Sequence, residues 1–221
     1  LKKTSDVKKY PWWQHLRPRN ELYEAIEKLD KVLVTNAQAS TQYAITFLPS
    51  NCIFANSLNI FPFDSYVMFS ILQSRIHEEF ARYICSTLKD DLRYNPTDCF
   101  ETFPFPLDLS LKNDSQKSSS EEKLNKIGAE YFELRSKIMI DNKQGLTALY
   151  KRFNDPFEED QMILDLRNLH QEIDREILGI YGWNDISTNC GFGVEFLPEY
   201  DESKLSSEMS LHIEKDEILF M

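Results

Sequence analysis

The sequence predicts an α+β protein, in which a small mixed or antiparallel sheet backed by a long helix precedes an α-helical part. Three observations predict this class. Short β-branched and aromatic runs occupy residues 32–61, apolar residues recur at helical spacing through much of the remaining chain, and a polar, serine-rich stretch separates two parts of different character. The domains are therefore expected at residues 1–106 and 121–221, joined by a linker over 107–120.

In the first domain, Asn20 is expected to cap a short helix that ends near residue 30. The apolar runs that follow are punctuated by Asn, Ser and Pro, which indicates short strands at residues 32–35, 43–48, 52–55 and 58–61. Asp64 or Ser65 is then expected to cap a single helix over residues 66–88, roughly 35 Å long, whose apolar stripe backs the sheet. Residues 89–106 include three prolines and are expected to be irregular.

The second domain is predicted to consist mainly of helices. Ser119 and Glu122 form a capping box, which predicts a helix that ends near residue 142, and a shorter helix is expected over 146–153. Asp155, followed by Pro156 and Glu158, predicts the start of a further helix, which Gly182 can end. Short strands are expected in the tail at residues 194–197 and 211–213.

The formal net charge of −11 is carried by the second part of the chain. Residues 1–106 hold 12 basic and 12 acidic residues, whereas residues 107–221 hold 13 and 24. All six glycines lie at residue 128 or later and none forms a glycine-rich phosphate loop, which excludes P-loop and dinucleotide-binding folds. No apolar stretch approaches the ~18 residues that a membrane-spanning helix needs.

The cysteines and histidines are too far apart in sequence to indicate a metal site. Without a CxxC pair or a secretion signal, the four cysteines are expected to be reduced and mostly buried thiols of a cytosolic protein, namely Cys52, Cys85, Cys99 and Cys190. His77 and His170 lie within amphipathic helical patterns and are expected to be half-buried structural residues.

No catalytic set is predicted. Glu121, Glu122 and Lys123 resemble the end of a nuclease signature, but carboxylates are expected in a first helical turn because of the helix dipole. Asn95-Pro96-Thr97-Asp98 lacks the second proline and the aromatic residue of the adenine methyltransferase motif (Asp/Asn/Ser)-Pro-Pro-aromatic.

The candidate binding segment is the polar run at residues 89–98, which includes Lys89, Asp91, Arg93 and Asn95. Such a run suits major-groove reading, because Lys or Arg binds guanine, Asp binds the cytosine amino group and Asn binds adenine. The alternative is an ordinary polar surface loop. In the basic N-terminal segment, Arg17 and Arg19 are candidates for phosphate contacts, although this segment could equally pack through its tryptophans.

The run at residues 88–106, LKDDLRYNPTDCFETFPFP, and the run at 72–78, LQSRIHE, resemble the C-terminal part of one enzyme family. This family comprises the MmeI-like type IIG and IIL DNA adenine methyltransferases of restriction–modification and phage-defence systems. The later runs at residues 145–156 and 181–183 resemble the helical C-terminal region of the same proteins.

The resemblance implies that residues 1–106 belong to a target-recognition domain and that residues 121–221 form a helical C-terminal domain. It implies that Lys89, Asp91 and Arg93 read bases, with Tyr94 as their neighbour. The S-adenosylmethionine-binding core would lie upstream, so no cofactor and no activity are expected of this fragment itself. The expected partners are double-stranded DNA and that upstream methyltransferase core, in the cytoplasm and without a membrane. The alternative is an acidic helical protein-interaction module with no direct DNA contact.

Overall fold

The α+β class predicted from the sequence is confirmed by the computed structural model, which describes residues 19–85, 87–88, 91–106 and 119–188. The first part of the described chain contains α1 (Asn20–Ile26), β1 (Lys31–Asn36), β2 (Thr46–Pro49), β3 (Leu58–Phe61), α2 (Tyr66–Gln73), α3 (Arg75–Ile84), β4 (Thr87–Leu88), β5 (Asp91–Leu92) and α4 (Pro96–Cys99). The second part contains α5 (Ser119–Asp141), α6 (Leu146–Phe153) and α7 (Gln161–Tyr181).

Three strands form an antiparallel sheet in the order β2-β1-β3. The central strand β1 is buried because both of its edges are paired and both of its faces are covered. Two strand predictions differ from the structure: one predicted strand is absent and another begins later than expected. Residues 52–55 form no strand, and β2 begins at Thr46 because Ile45 instead donates its N–H to the side-chain oxygen of Gln73 at 2.9 Å.

The single long helix predicted over residues 66–88 is wrong, because the chain breaks into α2 and α3 at Ser74. Ser74 has an extended backbone with ψ 154°. Its hydroxyl donates to the carbonyl of Ile71 at 2.7 Å and accepts from the N–H of His77 at 3.2 Å. One serine therefore ends the first helix and caps the second. At the start of α2, Ser65 is the capping residue, and its hydroxyl accepts from the N–H of Met68.

The helices of the second part follow the predictions except where α7 begins. Asp160, rather than Asp155, caps α7 by accepting from the N–H of Met162 at 2.9 Å. Arg152 holds this turn in place through ion pairs with Glu158 at 2.6 Å and with Asp160 at 2.7 Å. Gly182 ends α7 with φ 77°, as predicted. At α1, the residue in the capping position is Arg19, not Asn20.

Residues on both sides of the predicted linker share one hydrophobic core. Phe69 and Leu72 of α2 pack in the same cluster as Leu124 and Tyr131 of α5, and α7 contributes several isoleucines and leucines. A smaller cluster around Ile26 lies against the face of β1 that carries Val32 and Val34. The predicted division into domains stays a prediction, but α2 and α5 are in direct contact.

The cysteine prediction is wrong for Cys85 and Cys99, which form a disulfide across a Cα–Cα distance of 6.4 Å. The end of α3 and the short helix α4 pack against each other, which brings together two residues 14 positions apart. Cys52 is free, as predicted, but it is exposed, whereas the cysteines were expected to be mostly buried. Cys190 and the strands predicted in the tail lie outside the described residues.

Two kinds of site are absent from the described residues. None of their helices combines the length and the apolar character required to cross a bilayer. No group of three His, Cys, Asp or Glu side chains lies close enough together there to hold a metal ion. His77 and His170 are more deeply buried than predicted, at 0% and 3% exposure.

Candidate nucleic-acid interface

The polar run at residues 91–95 starts in a strand that is paired on both edges. On one edge β5 pairs with β4. On the other, Leu92 exchanges two backbone hydrogen bonds of 3.0 and 3.1 Å with Ser40. Side chains alternate along an extended backbone, so Leu92 and Tyr94 point inward and are buried. Asp91 is half-buried and Arg93 is exposed.

Arg93 and Asp91 are available to a ligand. Within the described part of the chain, no hydrogen bond or ion pair engages either side chain. The backbone of Asp91 is nevertheless paired with β4, and Leu92, which lies between the two residues, is held by Ser40. A charged side chain on a fixed backbone has its position largely set before a ligand binds, which lowers the entropy cost of binding.

Tyr94 supports this segment from below. Its ring is 3% exposed and stacks against Tyr43 at 5.9 Å between ring centroids. Its hydroxyl lies 2.8 Å from Nε2 of His77, and its carbonyl accepts from the side-chain amide of Asn59 at 3.0 Å. A buried ring does not reach a ligand at the surface, so we assign Tyr94 a supporting role.

Asn95 is exposed, but its side chain caps α4. The side-chain oxygen of Asn95 accepts from the N–H of Thr97 at 3.3 Å, and its side-chain amide nitrogen donates to the carboxylate of Asp98 at 2.6 Å. Its backbone N–H points to the sulfur of Cys85 at 3.5 Å. Reading of adenine by Asn95 would therefore require the loss of a helix cap.

The remaining candidates lie elsewhere. Lys89 and Arg17 fall outside the described residues. Arg19 is exposed, precedes α1 with φ 50°, and its carbonyl accepts from the N–H groups of Leu22 and Tyr23. No hydrogen bond in the described part of the chain links α1 to residues 91–99. The structure thus brings together Asp91, Arg93, Tyr94 and Asn95.

The sequence analysis did not identify the residues that hold the stretch before β2, which pairs with β5 through Ser40. Arg82 of α3 donates to the carboxylate of Glu78 at 2.6 Å and to the carbonyl of Thr41 at 3.2 Å, which ties the segment before β2 to α3. Burial raises the pKa of Glu78, and the neighbouring Arg82 opposes this shift. The only sequence signal for these contacts is the i,i+4 spacing of Glu78 and Arg82.

The burial of His77 predicts a stability that depends on pH. Burial lowers its pKa from 6.5 to about 3, so His77 stays neutral in the folded protein where the unfolded chain binds a proton. The contribution of His77 to the free energy of unfolding is therefore fully present above pH 6.5. It is lost as the pH drops from 6.5 towards 3, by up to about 1.4 kcal/mol per pH unit. We expect a lower Tm at about pH 5.5 than at about pH 7.5.

His77→Gln is the matching variant, because glutamine does not titrate in this range. Burial also lowers the pKa of His170, so the variant should weaken the pH dependence and leave the share due to His170. A Tm profile for His77→Gln that is as steep as that of the wild type would contradict the assignment.

Comparison with known proteins gives two matches. Residues 20–107 match the family model described as the MmeI target recognition domain. The structure is similar to that of the type IIL restriction–modification enzyme MmeI solved in complex with DNA, with a TM-score of 0.54 and 21% sequence identity. That likeness covers 70% of this chain and 19% of the MmeI chain.

At this level of identity the likeness shows a shared fold. No curated protein matches the chain. The chain spans about a fifth of the length of the solved MmeI chain. The resemblance stated from the RYNPTDCFETFPFP run is confirmed.

Proposed function

We propose that this chain recognises a DNA sequence through residues 89–95, and the match of residues 20–107 to the MmeI target recognition domain supports this. The observation that carries the proposal is the alternation of side chains along β5 and the two residues that follow it. Asp91 and Arg93 face outward without a protein partner among the described residues, while Leu92 and Tyr94 anchor the same backbone in the core. A carboxylate accepts from the cytosine amino group, and a guanidinium donates to guanine O6 and N7.

Phosphate contacts belong to the same proposal. Lys89 belongs with Asp91 and Arg93 among the proposed base readers, whereas Arg17 and Arg19 are the basic residues that we assign to phosphates beside the read bases. The first part of the chain has no net charge, so the sequence-independent attraction to DNA should be modest. Affinity in this arrangement depends mainly on contacts at residues 89–95.

We further propose that the chain serves a site-specific adenine-N6 methyltransferase of a restriction–modification system, with a role in phage defence in the cytoplasm. The methyl donor would be S-adenosylmethionine, held by an upstream core. The described residues of this chain do not fit that cofactor, because their four glycines lie within or at the ends of α5, α6 and α7 and none forms a turn after a strand. Base flipping and methyl transfer are therefore assigned to the core.

The first test of the proposal is Arg93→Ala. We expect it to weaken binding to the preferred duplex by about 2 kcal/mol and to relax selectivity at one base pair, because a bidentate arginine–guanine contact is lost. The preferred duplex is obtained by selection from a randomised pool with the wild-type chain, and affinities are then measured by fluorescence anisotropy. Arg175→Ala, which removes an exposed arginine from α7, is the matched control and should bind like the wild type.

The salt dependence of binding separates the proposal from its rival. Retention of DNA should fall with a negative slope of log affinity against log salt, because phosphate contacts release counterions. If the wild-type chain selects no sequence at low salt, the proposal is wrong. Capture of a partner protein by α5 and α7 under those conditions would favour the acidic protein-interaction module instead.

A further inference from the structure

One side-chain oxygen joins the two parts of the chain at the end of α2. The carbonyl oxygen of Gln73 accepts from the backbone N–H of Ile45 at 2.9 Å and from Nη1 of Arg135 at 3.3 Å. Ile45 lies just before β2 in the first part, whereas Arg135 lies on α5 in the second. Gln73 and Arg135 are each 1% exposed, so water cannot replace either contact.

The segment held by Gln73 leads directly to β5. Two residues before Ile45, Tyr43 donates its hydroxyl to the carbonyl of Leu72 at 2.7 Å and stacks on Tyr94. Three residues earlier still, Ser40 forms the backbone pair with Leu92. A short series of hydrogen bonds and packed rings thus connects Arg135 to Leu92 and Tyr94, which alternate with Asp91 and Arg93.

Arg135 is an unusual residue to find at this position. Its guanidinium is surrounded by the rings of Phe69, Tyr131 and Phe132, whose centroids lie 5.3 to 5.8 Å away, and it donates to the hydroxyl of Tyr150 at 2.9 Å. Its hydrogen-bond acceptors within the described residues are neutral. A buried charge without a carboxylate partner is costly, and an apolar side chain would satisfy packing alone.

We propose that Gln73 and Arg135 are positioning residues, through which the helical part of the chain sets the geometry of the DNA-reading side chains of Asp91 in β5 and Arg93 directly after it. The proposal rests on the proposed function for its effect on DNA, but its structural half can be tested without DNA. Neither residue touches DNA in this proposal; both act on Asp91 and Arg93 through residues 40–45.

The test compares two substitutions of nearly equal size at residue 73 in the 221-residue chain. Gln73→Met removes the shared acceptor, whereas Gln73→Glu retains an oxygen for both donors and places a carboxylate beside Arg135. Backbone hydrogen exchange is measured at Ser40 and Leu92 and, as an internal reference, in the middle of α7. Gln161→Met, at an exposed position at the start of α7, is the control for the substitution itself.

We expect exchange at Ser40 and Leu92 to become about tenfold faster in Gln73→Met, with the reference amides unchanged and with wild-type rates in Gln73→Glu. Discrimination between the preferred duplex and its single-base variants should fall by about tenfold in Gln73→Met alone, while the salt slope stays that of the wild type. If Gln73→Met does not fold, the same exchange and binding measurements are made on Arg135→Met, with the same expected changes.

Two results would overturn the proposal. One is wild-type exchange at Ser40 and Leu92 in Gln73→Met. The other is equal acceleration at these amides and in α7, which would show a role in overall stability only. A wild-type chain that selects no DNA sequence would defeat the proposed function, and the exchange rates would still decide whether Gln73 and Arg135 hold β5.

Discussion

Replacing Gly128 with alanine is expected to lower the free energy of unfolding by about 3 kcal/mol, because α5 and α2 approach too closely for a side chain. A Cβ atom at Gly128 would overlap the hydroxyl of Ser70 and lie 2.8 Å from the carbonyl oxygen of Tyr66. Ser70 cannot rotate away freely, since its hydroxyl lies 2.8 and 3.1 Å from the carbonyls of Tyr66 and Leu124 and shares its one proton between them. The helices must therefore move apart.

Gly179→Ala is the matched control for this prediction. Gly179 also lies in a helix, but a Cβ atom there would meet only the side-chain oxygen of Asn184, at 3.8 Å. Alanine should stabilise α7 by about 0.5–1 kcal/mol, because it restricts the unfolded chain more than glycine does. Urea unfolding followed by circular dichroism measures both variants. Stabilisation by both substitutions would show that helix propensity, not the contact between α2 and α5, decides the outcome at Gly128.

The apolar pattern of the sequence predicted which residues face the core more reliably than where helices end. The apolar stripe continues from α2 into α3 because both helices pack against the same core, so periodicity does not reveal the break at Ser74. Towards the end of α3 the stripe fails as a guide, since Tyr83 and Ile84 are exposed. The available signal was the serine itself, whose hydroxyl can compete for a backbone carbonyl within a helix. Tertiary packing then selected the broken form.

The start of α7 shows a different limit. Asp155, Pro156 and Glu158 have the residue types of a helix start, yet they form a turn in which Asp155 accepts from the N–H groups of Phe157 and Glu158. Arg152 binds Glu158 and Asp160 and thereby holds a turn directly before α7, so the helix begins only after Asp160. Local helix propensity cannot predict these ion pairs, because they depend on where α6 places Arg152.

At the candidate interface, the expectation that residues 89–106 are irregular is wrong, because this stretch contains β5 and α4. A strand of two residues is too short for periodicity to reveal, so the alternation of Asp91 and Arg93 with Leu92 and Tyr94 appears only in the structure. The supports of this strand are not visible in the sequence either. Ser40, Asn59 and His77 come from three different elements, and no spacing rule links them to β5. The choice of residues 89–93 as base readers came from the family resemblance, which contains information on function that periodicity lacks.

Breaking the disulfide between Cys85 and Cys99 is expected to lower the free energy of unfolding by about 3 kcal/mol. The bridge closes residues 86–98 into a loop, and a cross-link over this length removes conformational entropy from the unfolded chain. The double variant Cys85→Ala and Cys99→Ala, measured by urea unfolding, should match the reduced wild type. Cys52→Ala, at an exposed free cysteine, should leave the stability unchanged in both redox conditions.

The disulfide is also expected to affect DNA recognition, because the loop that it closes contains both Asp91 and Arg93. In the reduced protein this segment has more freedom to lose on binding, so the affinity for the preferred duplex should fall while the preferred sequence stays the same. Binding measured on the oxidised chain, the reduced chain and the double alanine variant tests this. If oxidised and reduced chains unfold at the same urea concentration and bind equally well, the backbone pairing of Leu92 with Ser40 and with β4 suffices to order the segment, and the bridge contributes nothing to it.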